Sequence, residues 1–443
     1  MSVRLMNIRW LAAGMLVLSL LATAVPAGAH GGDPDDGKSK SALMSMNLSE
    51  LDRAASMAMG SAECEDGMAA IFPCKNVDLA SFLPLEAIGG GTGNDIWGWT
   101  DPATGRELAI MGTSNGTAFV DVTDPQNPVF LGHMPTQSPL VLPLWRDIKV
   151  YDNHVFVVSE HDNHGMQVFD LTRLRAPSPT KVFTPDAVYE EFSNAHNVAI
   201  NTETGFAYAV GSDTCDAGLH MINIQDPKNP TFAGCFSADG YTHDVQCVVY
   251  RGSDGRFRGR EICFASNEDT VTVVDVSDKQ NPVMLSRTGY DTAAYTHQGS
   301  LTPDHRWFLF GDEGDESSGT VPNTTTYIME MGRLTDPGPP QAFHHETPSI
   351  DHNLYISDRL VTESNYTAGV RMLEYDKFSL RDAQLNEVAF FDVVPGSDAT
   401  EFAGTWSNYT FGSGTVVAST IESGLFVLRP QLPEGGRKTA GPR

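Results

Sequence analysis

The chain has 443 residues, with 56 acidic against 29 basic side chains and a net charge of −27. That balance excludes nucleic acid as a partner, because phosphates need a basic surface. It also excludes docking on anionic membranes and favours cations as partners.

The N-terminus reads as a secretory signal peptide over residues 1–29. Arg4 and Arg9 form a positive start, Leu11 to Val25 is apolar and uncharged, and Ala27-Gly28-Ala29 supplies the small residues for cleavage before His30. Read instead as an uncleaved anchor, the apolar run is short for a spanning helix. Cleavage removes both arginines and leaves the mature chain at −29. No second stretch suits a bilayer, so no membrane insertion of the mature chain is expected. Residues 30–63 read as a linker, disordered in part, with a short helix over Leu43–Met59. Residues 431–443 read as a flexible tail without a hydrophobic anchor. The six cysteines, an even number, suit an oxidising compartment, and none has the C-x-x-C spacing of a zinc or redox motif. Their spacing predicts the local bridges Cys64–Cys74, Cys215–Cys235 and Cys247–Cys263.

Residues 64–430 are dominated by a repeat. GTAFVDVTDPQNP (116–128), GLHMINIQDPKNP (218–230) and TVTVVDVSDKQNP (270–282) share one pattern, and GMQVFDLT (165–172), GVRMLE (369–374) and GLFVLR (424–429) share its first half. Asp121, Asp170, Asn223 and Asp275 mark one position at spacings of 49, 53 and 52 residues. Each alternating β-branched run is a strand, and the following Asp-Pro or Asn-Pro starts a turn. A further strand follows and two precede, which makes four strands per unit, the content of a propeller blade. First strands are expected near Asp95, Asp147, Asn197, Asp244, Gln298, Asn353 and Trp406. The prediction is an all-β, seven-bladed propeller. Its last blade shows three strands, and Val77–Ile88 is expected to supply the fourth and close the ring.

The V-x-V-[VI]-D-V-[ST]-D-P-x-N-P units resemble the LVIVD repeat. Together with PCKNVDL (73–79), AGCFSADGYTHDVQC (233–247), HQGSLTPDHRWFLFGDEGDE (297–316) and DHNLY (351–355), they make the mature chain similar to the secreted bacterial choice-of-anchor B family. That resemblance implies a propeller at or outside the cell surface. It implies no particular activity. The chain departs from the family in showing no C-terminal anchor.

Two residue sets are expected at one end of the central channel, here called the top. Strand starts bring His196-Asn197, His243-Asp244, His297-Gln298 and His352-Asn353, with Asp95 and Asp147 at matching positions. Ends of second strands bring Glu160, His161, Asn267, Glu268, Asp312, Glu313 and Asn365, with Asp315 and Glu316 close behind. Imidazole and carboxylate are donors for divalent metals, and carboxylates with carbonyl oxygens suit Ca²⁺. His196, His243, His297, His352, Glu268, Asp312 and Glu313 are therefore the candidate ligands of a divalent cation, Ca²⁺ or a transition metal. Asp95, Asp147, Glu160, His161, Asn197, Asp244, Asn267, Gln298, Asn353 and Asn365 are the candidate ligand-binding residues. The competing reading makes the four histidines struts that hold loops within their own blades, as a histidine does in WD-repeat propellers. GDEGDE (311–316) reads as an acidic turn and His344-His345-Glu346 as a loop. No nucleophile signature is present. The expected function is a secreted, monomeric module binding an extracellular protein, a glycan or a small ligand. The alternative is a metal-dependent hydrolase or lyase using the same funnel.

Overall fold

The alternating runs of the repeat form antiparallel strands, and seven sheets of these strands circle one channel. A computed structural model describes residues 60–137, 145–176, 180–379 and 383–432; the signal peptide, the linker up to residue 59 with its expected helix, and the tail beyond residue 432 lie outside the described residues. Blade 1 runs Gly93–Thr100, Glu107–Thr113, Gly116–Asp121 and Val129–Pro135 in spatial order. The first strands of blades 2 to 7 are Arg146–Tyr151, Asn197–Asn201, Asp244–Val249, Thr296–Leu301, Asn353–Ser357 and Thr405–Thr410. Each first strand lines the channel. Among the described residues, no helix is long and apolar enough to cross a membrane.

The repeated polar residues build the turns. Asp124 accepts from Gln126 N–H and Asn127 Nδ2, Asp226 from Lys228 N–H and Asn229 Nδ2, and Asp278 from Gln280 N–H and Asn281 Nδ2. The D-x-x-N signature, with proline second in two of the three turns and Lys279 in the other, is thus an Asx turn closed by its own asparagine. The apolar residues alternate between the two faces of each sheet and pack blade on blade. Ile110 and Phe119 of blade 1 meet Ile148 and Val157 of blade 2, while Ala109 and Met111 turn to Val417 and Val427 of blade 7. This pattern explains why the middle strands are buried throughout: both faces are covered.

The ring closes through the N-terminal segment. Val77–Pro84 pairs antiparallel with Gly424–Pro430 as the outer strand of blade 7. The chain before it, Phe72–Lys75 and Met68–Ala69, extends blade 6 to six strands by pairing with Asn386–Phe391. Two local expectations differ from the structure. The strand ends at Pro84, and Leu85–Ile88 forms a 3-10 turn, since the left-handed Gly89 (φ 118°) closes it and Gly90 N–H bonds back to Leu85. GDEGDE is not a turn: Gly311-Asp312 end the second strand of blade 5 and the rest opens a helix, α1 (Glu313–Ser318), capped by Asp312 accepting from Gly314 N–H and stopped by left-handed Gly319.

All three expected disulfides are present. Cys247 and Cys263 stand opposite one another on the first two strands of blade 4, with Cα atoms 4.0 Å apart. Cys215 lies in the turn after the second strand of blade 3 and joins the fourth strand at Cys235. Cys64–Cys74 ties the incoming segment to the edge of blade 6.

The closing strand is held by aromatic packing. Phe426, 1% exposed, meets Phe82 at 4.6 Å, Phe72 at 5.4 Å and Phe391 at 6.0 Å between ring centroids. Phe426→Ala is expected to cost about 3–5 kcal/mol of unfolding free energy. Chemical denaturation checks this; a loss under about 1 kcal/mol would mean that the contact does not hold the closure.

Candidate metal centre at the top of the channel

The start of each first strand places a residue at the top of the channel, and in blades 3 to 6 that residue is histidine. The four rings form a continuous arc. Centroids are 4.3 Å apart for His196–His243, 4.0 Å for His243–His297 and 4.5 Å for His297–His352. The contacts run from blade to blade. His243 Nδ1 faces the His297 carbonyl at 2.9 Å, and His352 Nδ1 faces the Trp406 carbonyl at 2.5 Å. A carbonyl oxygen only accepts, so Nδ1 carries the proton and Nε2 keeps its lone pair. The first histidine differs: His196 Nδ1 meets Glu160 Oε1 at 2.6 Å.

Glu313, the first residue of α1, reaches into this arc. Its Oε2 lies 3.6 Å from His297 Nε2 and its Oε1 3.6 Å from His352 Nε2. Ligand atoms of His297, Glu313 and His352 lie within 4.8 Å of one another, the one such group of three among the described residues. Exposures of 3%, 1% and 4% put all three out of bulk water. Burial, and then the neighbouring rings of His243, His352 and His196, push the His297 imidazole well below its ordinary pKa. It is therefore neutral at physiological pH, the form that ligates metals. Tyr366 donates its phenol to Glu313 Oε1 and packs at a tilt against His352, with ring centroids 4.7 Å apart. Trp145, Ile350, Tyr366, Phe402, Trp406 and Ile421 form an apolar cluster around this end of the channel.

The residue set fits a borderline metal. Two donors about 2.1 Å from one ion at a tetrahedral angle stand roughly 3.4 Å apart. The observed 3.6 Å separations run to different oxygens of Glu313, and with one atom from each residue the three donors lie within 4.8 Å, so the side chains would draw together to close on one ion. Two imidazoles and one carboxylate could hold Zn²⁺ or a related transition ion; Ca²⁺ prefers an all-oxygen shell.

The remaining candidates take other places. Asp312 caps α1 and accepts from Ala294 N–H, Tyr295 N–H and the Tyr290 phenol. Glu268 sits in a left-handed bend (φ 60°), and its backbone bridges to Thr296. Asn267 Nδ2 donates to Asp239, and Asn365 Nδ2 to Glu363. His161 is turned toward the backbone carbonyl of Asp162. Several of the others join neighbouring blades. Asp95 accepts from Ile148 N–H, Asp147 from Val198 N–H and Gln298 from Leu354 N–H, while Asn197 and Asn353 donate to the carbonyls of His243 and Trp406. Asp244 accepts from the adjoining Val245 N–H.

Sequence reasoning missed Tyr366 and Trp145, and read Trp406 only as the start of the last blade; none of the three belongs to a repeated polar pattern. His345, read as a loop residue, does lie in the loop just past the strand Gln341–His344, but its burial was not foreseen. In the structure His345 is buried and its Nε2 lies 2.9 Å from Thr326 Oγ1 and 3.3 Å from Glu363. Beside the centre lies a buried acidic group. Burial, then Asp312, raises Asp315 to about 7; burial, then Asp351, pushes Glu316 up to about 12. Tyr327 donates to Asp315, and Thr325 N–H to Glu316.

A simpler carboxylate allows a clean pH test. Glu422, on the last turn of blade 7, accepts from Gly404 N–H, and burial raises it to about 7. A carboxyl raised on folding contributes stability that is complete below its unfolded pKa and is lost as pH rises through about 7. Glu422→Gln stays neutral throughout. Relative to the parent protein, the variant is expected to gain about 1–3 kcal/mol between pH 5 and pH 8. Thermal unfolding across that range measures it; an unchanged difference would show that Glu422 is charged in the native state.

Fold and site together define a seven-bladed β-propeller with a buried His/Glu group at the top of its channel. No family model matches the chain, and no curated protein matches its sequence. Solved structures do. The WD40 propeller domain of Doa1 superposes with a TM-score of 0.50 at 9% identity, covering 83% of this chain and all of that one. The propeller domain of Myceliophteria thermophila Cps50 (Swd1) gives 0.49 at 10% identity, covering 77% and 98%. A protein from Lactobacillus plantarum gives 0.49 at 11%, covering 74% and 88%. At these identities the likeness to Doa1 shows the fold alone.

Proposed function

We propose that the chain is a secreted recognition propeller whose top face is organised by one transition metal, Zn²⁺ in the first instance. His297 and His352 would hold it through Nε2 and Glu313 through its carboxylate. The observation that carries this reading is the buried grouping of those three donors within 4.8 Å. Tyr366 would orient the Glu313 carboxylate, as outer-shell partners of ligands do. The bound partner would be an extracellular protein, glycan or small ligand, taken by a monomer. The expected leader, the three disulfides and the likeness to LVIVD-repeat, choice-of-anchor B sequences support a place outside the cytoplasm.

A second reading is a metal-dependent hydrolase or lyase. The ligand count favours it, since three protein ligands leave a position for water. The burial of all three ligands among Trp145, Tyr366 and Trp406 favours recognition.

Elemental analysis of the secreted protein is expected to find about one equivalent of Zn²⁺ or a related ion. His297→Ala with His352→Ala should abolish it, and Tyr366→Phe should weaken it about 10–100-fold. A protein that stays metal-free after exposure to Zn²⁺ would sink the proposal. Metal-dependent turnover of p-nitrophenyl acetate or bis-p-nitrophenyl phosphate, lost with His297, would select the hydrolase.

A further inference from the structure

Below the histidine arc the channel widens into a cavity of about 710 Å³, inside the range of small-molecule pockets. Its walls are unequal. On one side Trp97 and Tyr355 stand edge to face at 5.6 Å, and Tyr355 Oη bonds to Ser407 at 3.0 Å. On the other side blades 3 and 5 present the small side chains of Ala199 and Ser300 beside Asn197, Ile200, Gln298 and Leu301, and the ion-paired Glu203 and Arg251 also belong to the lining. The space therefore has an aromatic wall, with Ala199 and Ser300 among the residues that leave room opposite it.

Its polar groups are of mixed kind and partly unused. Asp95 and Asp147 are committed to the next blade's first strand, but Asp244 makes no such bond. Its hydrogen bond is the local one from Val245 N–H, and the link to blade 5 is made by Gln246 Oε1, which accepts from Leu301 N–H. Asp244 thus offers a carboxylate, Asn197 its Oδ1, Gln246 its Nε2 donor and Ser300 a hydroxyl that can do either. Lys149 lies 4.8 Å over Trp97 and bonds to Asp147, so a cation already covers that ring. Asp244 in turn disfavours an anion.

We infer that this cavity is a binding site for a small, neutral, polyhydroxylated ligand of monosaccharide size, separate from the metal centre. Hydroxyls both donate and accept, and so match the alternating groups of Asn197, Asp244, Gln246 and Ser300. The apolar C–H face of such a ligand packs on Tyr355, since Lys149 covers the Trp97 ring. None of the three candidate metal ligands lines the cavity, so the inference does not depend on the metal.

Ligand-observed NMR on the full mature protein tests it with D-glucose, D-galactose, D-mannose, N-acetyl-D-glucosamine and myo-inositol. At least one should bind saturably with a Kd of about 1 mM or tighter. Asp244→Asn, which preserves shape, should weaken that binding about tenfold. Ser300→Phe should abolish it by filling the space, with near-UV circular dichroism and metal content unchanged; if that variant does not fold, Asp244→Asn decides. Absence of binding by all five at about 10 mM, tenfold above that Kd, overturns the inference. So does binding that Asp244→Asn leaves unaltered, or binding of choline with none of the five.

Discussion

Every first strand in this ring is the inner edge of its sheet, and the channel cannot satisfy an edge by adding another strand. Backbone N–H groups on that edge need acceptors from side chains or water. The chain meets the need with carboxylates and amides. Asp95, Asp147, Gln246 and Gln298 each accept from a backbone N–H of the next blade's first strand. The polarity of the channel follows from this. Residues that look like ligands in the sequence are there first to join one sheet to the next. His243 and His352 share that duty through Nδ1, reaching the carbonyls of His297 and Trp406, whereas Asp244 accepts from its own neighbour, Val245 N–H.

The same constraint explains what could be read from the sequence. A strand run and its turn are local, so the repeat reported blade number, strand order and disulfide pairing. The closing strand was also legible, because the last repeat visibly lacked one strand. Local chemistry after Pro84 set its end, and a run of alternating residues gives no sign of that. The histidines were legible as a recurring position. Their partners were not. Glu313 and Tyr366 are separated by 53 positions and meet because blades 5 and 6 are neighbours. Lys149 reaches Asp147 within its own strand and Asp95 in the blade before, a pair the repeat does not announce.

The upper part of blades 5 and 6 concentrates acid. Glu313, Asp315, Glu316, Asp351 and Glu363 are all 5% exposed or less. Burial raises Asp351 well above the carboxylate range and Glu363 to about 7. Phenols and backbone amides supply most of the compensation: Tyr366 for Glu313, Tyr327 for Asp315, Asp312 N–H for Asp351. Such a region exchanges charge for protons, since desolvated carboxylates are costly to ionise. A divalent ion beside it would supply positive charge where the chain has little of its own.

The closing strand also sets an order in time. Asp78 and Gln431 are hydrogen-bonded across 353 positions, so the two halves of blade 7 are made at opposite ends of synthesis. Val77–Pro84 leaves the ribosome first and must stay unpaired until Gly424–Pro430 follows. Six blades can stack meanwhile, each against the one before. The ring itself exists only after the last strand arrives. A chain interrupted at any earlier point is an open arc that exposes Leu79, Phe82 and Leu83, a substrate for quality control rather than a partly working protein.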